Sequence, residues 1–272
     1  MEPTAVPGSA ERIPHLDRLL ASVVALHAQV PKDALSASRL GNERAGSAVA
    51  IHAPEAPPGL FVTVGYLVTD ADQIWLTDHR GRTAPAFALA QDNETGFALV
   101  RTVSLENLDA PPLELGDSDT VGVGDAATVA GTGGRTGAVA ARVVARQPFT
   151  GYWEYMIEDA LFTAPAHPHW AGTAVLDGEG RLVGIGSLKV EQLVDRRTVT
   201  DTNMSLPMNL LKPILPELLR QGRRSGAARP WLGIHTAEFR GRLLVVDVTE
   251  DGPAEKAGVK EGDAVTAVGG TP

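Results

Sequence analysis

At 272 residues, with 43% apolar and 21% charged residues, the chain can hold one large or two modest cores, and its make-up is that of a folded globular protein. Its 33 acidic and 24 basic residues leave a net charge of -9, which disfavours nonspecific attraction to nucleic acid or an anionic membrane surface. The absence of cysteine excludes disulfides, thiolate catalysis and Cys-ligated zinc.

The opening stretch, MEPTAVPGSAERIPHLDRLL, has no apolar segment behind a basic start, and no later window approaches the ~20 apolar residues of a membrane span. The expectation is a soluble chain without an export signal, cytoplasmic as it stands and extracytoplasmic if its start has been trimmed, whose residues 1–21 form an N-terminal segment ahead of the first domain. From 22 to about 206, short apolar runs are cut by Gly, Pro, Asp and Asn at close spacing, the pattern of an antiparallel all-β sandwich or barrel. In VALHAQV, Leu26, Ala28 and Val30 alternate with His27 and Gln29, as a half-buried strand requires. Similar runs stand at 48–51, 60–64, 74–76, 97–100, 126–130, 138–145, 155–157 and 182–185, and the polar stretch 32–44 reads as a loop. No repeat is evident. The glycines of AGTGGRTG (130–137) are turn residues between two strands, because the stretch lacks the Lys and Ser/Thr of a phosphate-binding loop.

The period changes at Met208, where Leu211, Ile214, Leu215, Leu218 and Leu219 share one helical face and Gly222 follows as a stop. Pro213 and Pro216 favour a short helix opening near Pro213. Residues 207–229 are therefore a linker helix and connector, and a second, strand-rich domain with a short helix at 254–257 occupies 230–272.

Several stretches in order and at matching spacing resemble the HtrA/DegP-like family of trypsin-like serine proteases with a C-terminal PDZ domain. They are GSAVAIH (46–52), the G-x-x-V-T stretch at 59–63, ALV (98–100), LGDSDTVGVGD (115–125), GTAVLDGEGRLVGIG (172–186), SLPMNLL (205–211), and WLGI with DGPAEKAGVKEGD (251–263). The resemblance implies two antiparallel β-barrels with the active site between them, followed by a PDZ domain. It also implies proteins or peptides as partners and a homotrimer as the assembly; no cofactor or metal is expected, and the charge and hydropathy above argue against nucleic acid and a membrane span.

At the three positions where the family carries its catalytic residues, this chain departs from the pattern. Tyr66 stands at the His position after the V-T strand, Gly96 at the Asp position before FALV, and Ala171 where G-N-S-G-G has its Ser. Asp92 matches a different acidic position. Alanine offers no nucleophile, a phenol with a pKa near 10 is a poor general base at neutral pH, and glycine has no carboxylate to orient an imidazole. Loss of such a triad removes on the order of 10⁶-fold in turnover, about 8 kcal/mol of transition-state stabilisation. The loop His169, Trp170, Ala171 is degenerate as well: His169 replaces the family's glycine two residues before the nucleophile, where a backbone amide shapes the oxyanion hole, and Pro168 restricts the loop. The expectation is a pseudoprotease that binds proteins or peptides in a regulatory or scaffolding role. The alternatives are an active endopeptidase in protein quality control whose catalytic residues lie elsewhere, and a noncatalytic chaperone-like binding module.

Tyr66 and Trp170 read as aromatic plugs of the vacated site. His167 and His169 read as packed or surface histidines, since no third metal ligand can be named; Thr173 and Ser187 as strand and turn residues; and His79 as an exposed turn residue. Trp231, Leu232, Gly233 and Ile234 resemble the PDZ loop whose amides receive a peptide carboxylate. The helix forming the opposite wall of that groove belongs after 264–272, so the PDZ part is expected to be incomplete in this chain.

Overall fold

The computed structural model describes residues 15–54, 56–104, 108–151, 156–193, 199–226 and 230–271. The alternating pattern of the first strand, β1 (Val23–Gln29), buries Val24, Leu26 and Ala28 and turns His27 and Gln29 outward. It joins β2 (Glu43–Ala50), β3 (Leu60–Val64), β4 (Gln73–Thr77), β5 (Thr83–Gln91) and β6 (Phe97–Thr102) in a closed antiparallel barrel of order β1-β2-β3-β6-β5-β4. A second closed barrel holds β7 (Ala126–Ala130), β8 (Ala138–Thr150), β9 (Met156–Ala164), β10 (Ala174–Leu176), β11 (Leu182–Leu193) and β12 (Val199–Pro207). Read from β7, its ring runs β7-β8-β9-β12-β11-β10, the same order as the first. Closure leaves neither barrel a free edge.

The molecule therefore contains a structural repeat where the sequence offered none. It is also visible in one motif, D-x-x-G-R, which turns β4 into β5 and β10 into β11. Asp78 Oδ1 accepts from the amides of Arg80 and Arg82 and its Oδ2 from Arg82 Nε, at 2.8, 3.0 and 2.8 Å. Asp177 does the same with the amides of Glu179 and Arg181 and with Arg181 Nε, each at 2.9 or 2.8 Å. Only five residues per barrel carry the likeness, too few to register as a repeat in the chain.

Asp78 accepts a further bond from the Asp109 amide. Burial pushes its carboxyl up, but the amides of Asp109, Arg82 and Arg80 together with the Arg82 guanidinium outweigh that and hold it at about 2. A depressed carboxyl contributes stability that is present above about pH 4 and lost as the pH falls toward 2. Asp78→Asn turns an acceptor into a donor facing other donors. The variant is expected to be less stable by about 1–2 kcal/mol at pH 7 and to show a flatter loss between pH 4 and 2, read by urea unfolding at each pH.

Residues expected to lie outside the first domain contribute to it: helix α1 (Leu16–Leu20) buries Leu16 and Leu20 in the core. The stretch 32–44, expected as a loop, holds the single helical turn α2 (Ala37–Leu40) and the start of β2, with Arg44 only 4% exposed. Strands β5, β10 and β12 were not foreseen, since Pro85, three-residue brevity and the polar run VTDTN mask them. The linker is two helices, α3 (Met208–Leu211) and α4 (Leu215–Gln221), because Pro213 lacks the amide that would join them. Gly222 closes α4 with its amide on the Leu218 carbonyl.

The C-terminal part is a sheet of order β13-β14-β15, with β13 (Ile234–Phe239), β14 (Arg242–Val248) and β15 (Ala264–Val265), and a short helix α5 (Pro253–Lys256). No helix among the described residues is long and apolar enough to cross a membrane.

Candidate functional site

The three positions singled out in the sequence come together where the barrels meet. Tyr66 lies in a 3-10 turn, Gly65–Leu67, directly after β3, and the Gly65 amide donates to the Gly96 carbonyl at 2.7 Å. Ala171 approaches from the other barrel. Its carbonyl accepts from the Ser47 amide at 2.8 Å, and a Cβ on Gly46 would sit 2.6 Å from Leu67 Cδ1 and 2.7 Å from the Ala171 oxygen. The seam is thus packed at backbone distance, with Tyr66 and Ala171 half-buried against one continuous core.

Tyr66 is held at both ends. Its hydroxyl donates to the Ser187 carbonyl across the seam at 2.5 Å. Ser187 lies at an irregularity of β11, between the pairs Gly186↔Ser205 and Leu188↔Met204, so its carbonyl is outside the regular β11–β12 ladder. At the main chain, the Arg44 guanidinium donates to the carbonyls of Tyr66 at 2.7 Å, Thr69 at 2.9 Å and Gly41 at 3.1 Å, and to Ser36 Oγ at 2.8 Å. Burial pulls the Arg44 pKa down and neighbouring Asp70 works against that. Sequence reasoning missed Arg44 because a polar, loop-like stretch hides it, and missed the Ser187 carbonyl because only the hydroxyl of that residue carries a sequence signal.

Gly96 has φ +80°, and its amide closes a turn onto the Asp92 carbonyl. Asp92 has a structural duty: its Oδ2 accepts from the Thr95 amide and hydroxyl at 3.0 and 2.6 Å. Arg224, after α4, pairs with Glu94 at 2.8 Å and approaches Asp92 at 3.9 Å, tying the connector to this turn.

The loop before Ala171 is fixed from within. His167 is 3% exposed; its Nε2 lies 2.9 Å from the Gly137 carbonyl and its Nδ1 accepts from the His169 amide at 3.0 Å. This pattern requires the proton on Nε2 and a neutral ring, and burial holds its pKa below the ordinary imidazole range. Asn203 brackets the His167 main chain, accepting from its amide at 2.5 Å and donating to its carbonyl at 3.1 Å. His167 is therefore a packed histidine, while His169 is exposed. Trp170 is half-buried, and its carbonyl accepts from the Thr173 hydroxyl at 3.1 Å. Gly172 and Gly186 lock the loop to the barrel through Gly172 N–H to Gly186 O and Gly186 N–H to Thr173 O, both 2.8 Å. His79 is exposed in its turn.

In the C-terminal part, the Leu232 carbonyl accepts from the Ala254 amide at 3.0 Å and the Gly233 carbonyl from the Thr249 amide at 2.8 Å, which turns both carbonyls into the domain. Trp231 and Leu232 stay exposed ahead of β13.

A trypsin-like peptidase domain model matches residues 46–185 and a PDZ domain model residues 230–272. The chain is 28% identical over 229 residues to the "Probable periplasmic serine endoprotease DegP-like" of Chlamydia pneumoniae, covering 79% of this chain and 45% of that protein. It is 26% identical over 233 residues to the "Serine endoprotease DegS" of Salmonella typhimurium, covering 79% of this chain and 63% of that one. The chain thus spans about half of the first and less than two thirds of the second. Among solved structures, the "HtrA-type protease AlgW with tripeptide" shares the fold at a TM-score of 0.58 and 22% identity, over 94% of this chain and 80% of that one. With two like-ordered barrels meeting at the Tyr66–Ala171 seam and a PDZ domain after them, this chain belongs to the trypsin-like peptidase family in its HtrA/DegP-like form.

Proposed function

We propose that this chain is a noncatalytic member of its family, a double barrel kept for binding proteins or peptides in a regulatory or scaffolding role. The observation that carries the reading is the set Tyr66, Gly96 and Ala171 at one seam, in the places where the resemblance puts base, orienting carboxylate and nucleophile. The His169 amide supports it: an oxyanion donor must point at the reacting carbonyl, and this one is directed to His167 Nδ1. Beside the barrels, the PDZ domain offers a second candidate binding element, the loop Trp231, Leu232, Gly233 and Ile234, which would receive a peptide carboxylate. That solved neighbours were captured with a tripeptide and a decapeptide is consistent with such partners. A homotrimer is the assembly this reading implies, and sedimentation of the purified chain measures it.

The relatives' names as serine endoproteases favour a second reading, an active endopeptidase working through another serine. One experiment separates the two. Purified protein is incubated with unfolded casein and, in parallel, with a fluorophosphonate probe. The noncatalytic reading expects neither cleavage nor a labelled serine, and cleavage abolished by the probe overturns it.

A further inference from the structure

We propose that His167 is an acid-operated lock on the loop that leads to Ala171: the neutral ring holds the His169 amide inward, and protonation of the ring releases that amide to solvent. The inference goes beyond the binding reading and stands whether or not the chain is catalytic. The ring is placed by the hairpin between β7 and β8, where the glycines of AGTGGRTG make room for it. A Cβ on Gly131 would lie 2.8 Å from His167 Cε1 and 3.1 Å from its Nε2. The Gly137 carbonyl faces two donors there, the Gly131 amide at 2.8 Å and His167 Nε2 at 2.9 Å. With the Nε2 proton spent on that carbonyl, Nδ1 of the neutral ring is a pure acceptor, and it takes the His169 amide at 3.0 Å.

A proton on Nδ1 breaks this arrangement, since two N–H groups would then face each other across 3.0 Å. The neighbours decide what gives way. Upstream, Asn203 grips both the amide and the carbonyl of His167 and has no charge to change. Downstream, Gly172 N–H on the Gly186 carbonyl and Ser47 N–H on the Ala171 carbonyl keep the end of the loop on the barrels. The ring of Pro168 fixes its φ, so the response falls on the Pro168–His169 peptide, whose N–H is the one displaced. Burial holds the His167 ring below the ordinary imidazole range, and His169 on the same loop adds a like charge that opposes a second proton. Of the other elements around it, the hairpin brings Arg135, which pairs with Asp17 of α1, and β11 brings Lys189, opposite Asn203, which pairs with Asp201 of β12. A histidine depressed in this way leaves stability intact above about pH 6.5 and withdraws it as the pH falls below that value. The lock therefore stays shut at neutrality and opens toward acid.

The test is a titration of the full chain, labelled with nitrogen-15, from about pH 7.5 to about 4.5, following the His167 ring nitrogens and the protection of backbone amides against exchange. The His169 amide is expected to lose about tenfold in protection with the midpoint of the His167 ring, while the Gly172 and Gly186 amides keep theirs. His167→Asn keeps a short side-chain acceptor in the loop and cannot titrate, so its His169 protection is expected to stay flat over the same range. The lock is overturned by a His167 ring that stays neutral until the whole chain unfolds, or by His169 protection that does not follow the ring. A loss shared by Gly172 and Gly186, or one that persists in His167→Asn, overturns it equally. Should His167→Asn fail to fold, His169→Gln takes its place: it removes the neighbouring imidazole and keeps the amide, so the acid loss is expected to remain, and its disappearance overturns the lock. Casein cleavage with a labelled serine would defeat the noncatalytic reading alone, leaving the lock to be judged on exchange.

Discussion

Gly172→Ala is expected to destabilise the protein by at least ~3 kcal/mol or to abolish folding, whereas Gly81→Ala costs about 1 kcal/mol, both read by urea unfolding followed by tryptophan fluorescence. The two glycines share φ +77°, so the backbone strain of placing an L side chain there is common to both. What differs is the space. A Cβ at Gly81 meets nothing within 4 Å, while at Gly172 it would lie 1.8 Å from the Ser47 carbonyl oxygen and 2.7 Å from Thr63 Oγ1. Neither neighbour can yield, because Thr63 donates to that same Ser47 carbonyl at 2.7 Å and Ser47 N–H holds Ala171. The methyl therefore forces the barrels apart at the seam. A cost at Gly172 equal to that at Gly81 would mean that the seam is plastic, and with it the fixed geometry of the Ala171 loop.

Much of this architecture is legible in the sequence because strand burial leaves a period of two that a short window can carry. Val23–Gln29 declares itself that way, Leu60–Val64 as a short apolar run, and the collinear stretches from 46 to 263 supply the order. The elements that escaped are those whose burial is not written in side-chain polarity. Strand β12 spells VTDTNMSLP, yet Thr202 and Asn203 are fully buried there, since Asn203 is consumed by the His167 main chain and Thr202 by the Val190 carbonyl. Arg44 fails to announce itself for the same reason: a guanidinium is read as solvated unless its carbonyl partners are known, and these come from 3 to 25 residues away. At the candidate site, residue types could be placed from flanking motifs, but the directions of donors could not. The His169 amide, the Tyr66 hydroxyl and the Ser187 carbonyl acquire their meaning only from where they point.

On the noncatalytic reading proposed above, those directions decide what placing a triad at these positions will do. Tyr66→His, Gly96→Asp and Ala171→Ser in one chain returns a base, a carboxylate and a hydroxyl to positions already linked by Gly65–Gly96 and by the Gly46–Ala171 contact. The triple variant is nevertheless expected to cleave casein more than about 10²-fold more slowly than an HtrA-type protease. At φ +80°, Gly96 tolerates an aspartate only with strain of about 1 kcal/mol, and the new carboxylate enters a turn that already contains Asp92 and Glu94. The larger deficit lies in the loop. With the His169 amide donating to His167 Nδ1, the tetrahedral intermediate lacks one oxyanion donor, a loss of about 10²–10³ in kcat. His167 is in turn pinned by Gly137 and Asn203, so the amide is not free to swing outward. Fluorophosphonate labelling of the serine introduced by Ala171→Ser, without casein turnover, would show that the restored base activates it; absence of labelling would leave base and oxyanion loop both deficient. Turnover by the triple variant within about 100-fold of an HtrA-type protease, less than the loss of one oxyanion donor allows, would instead show that the loop reopens once a nucleophile is present. The constraint on this chain would then lie in three side chains alone, and not in the backbone that carries them.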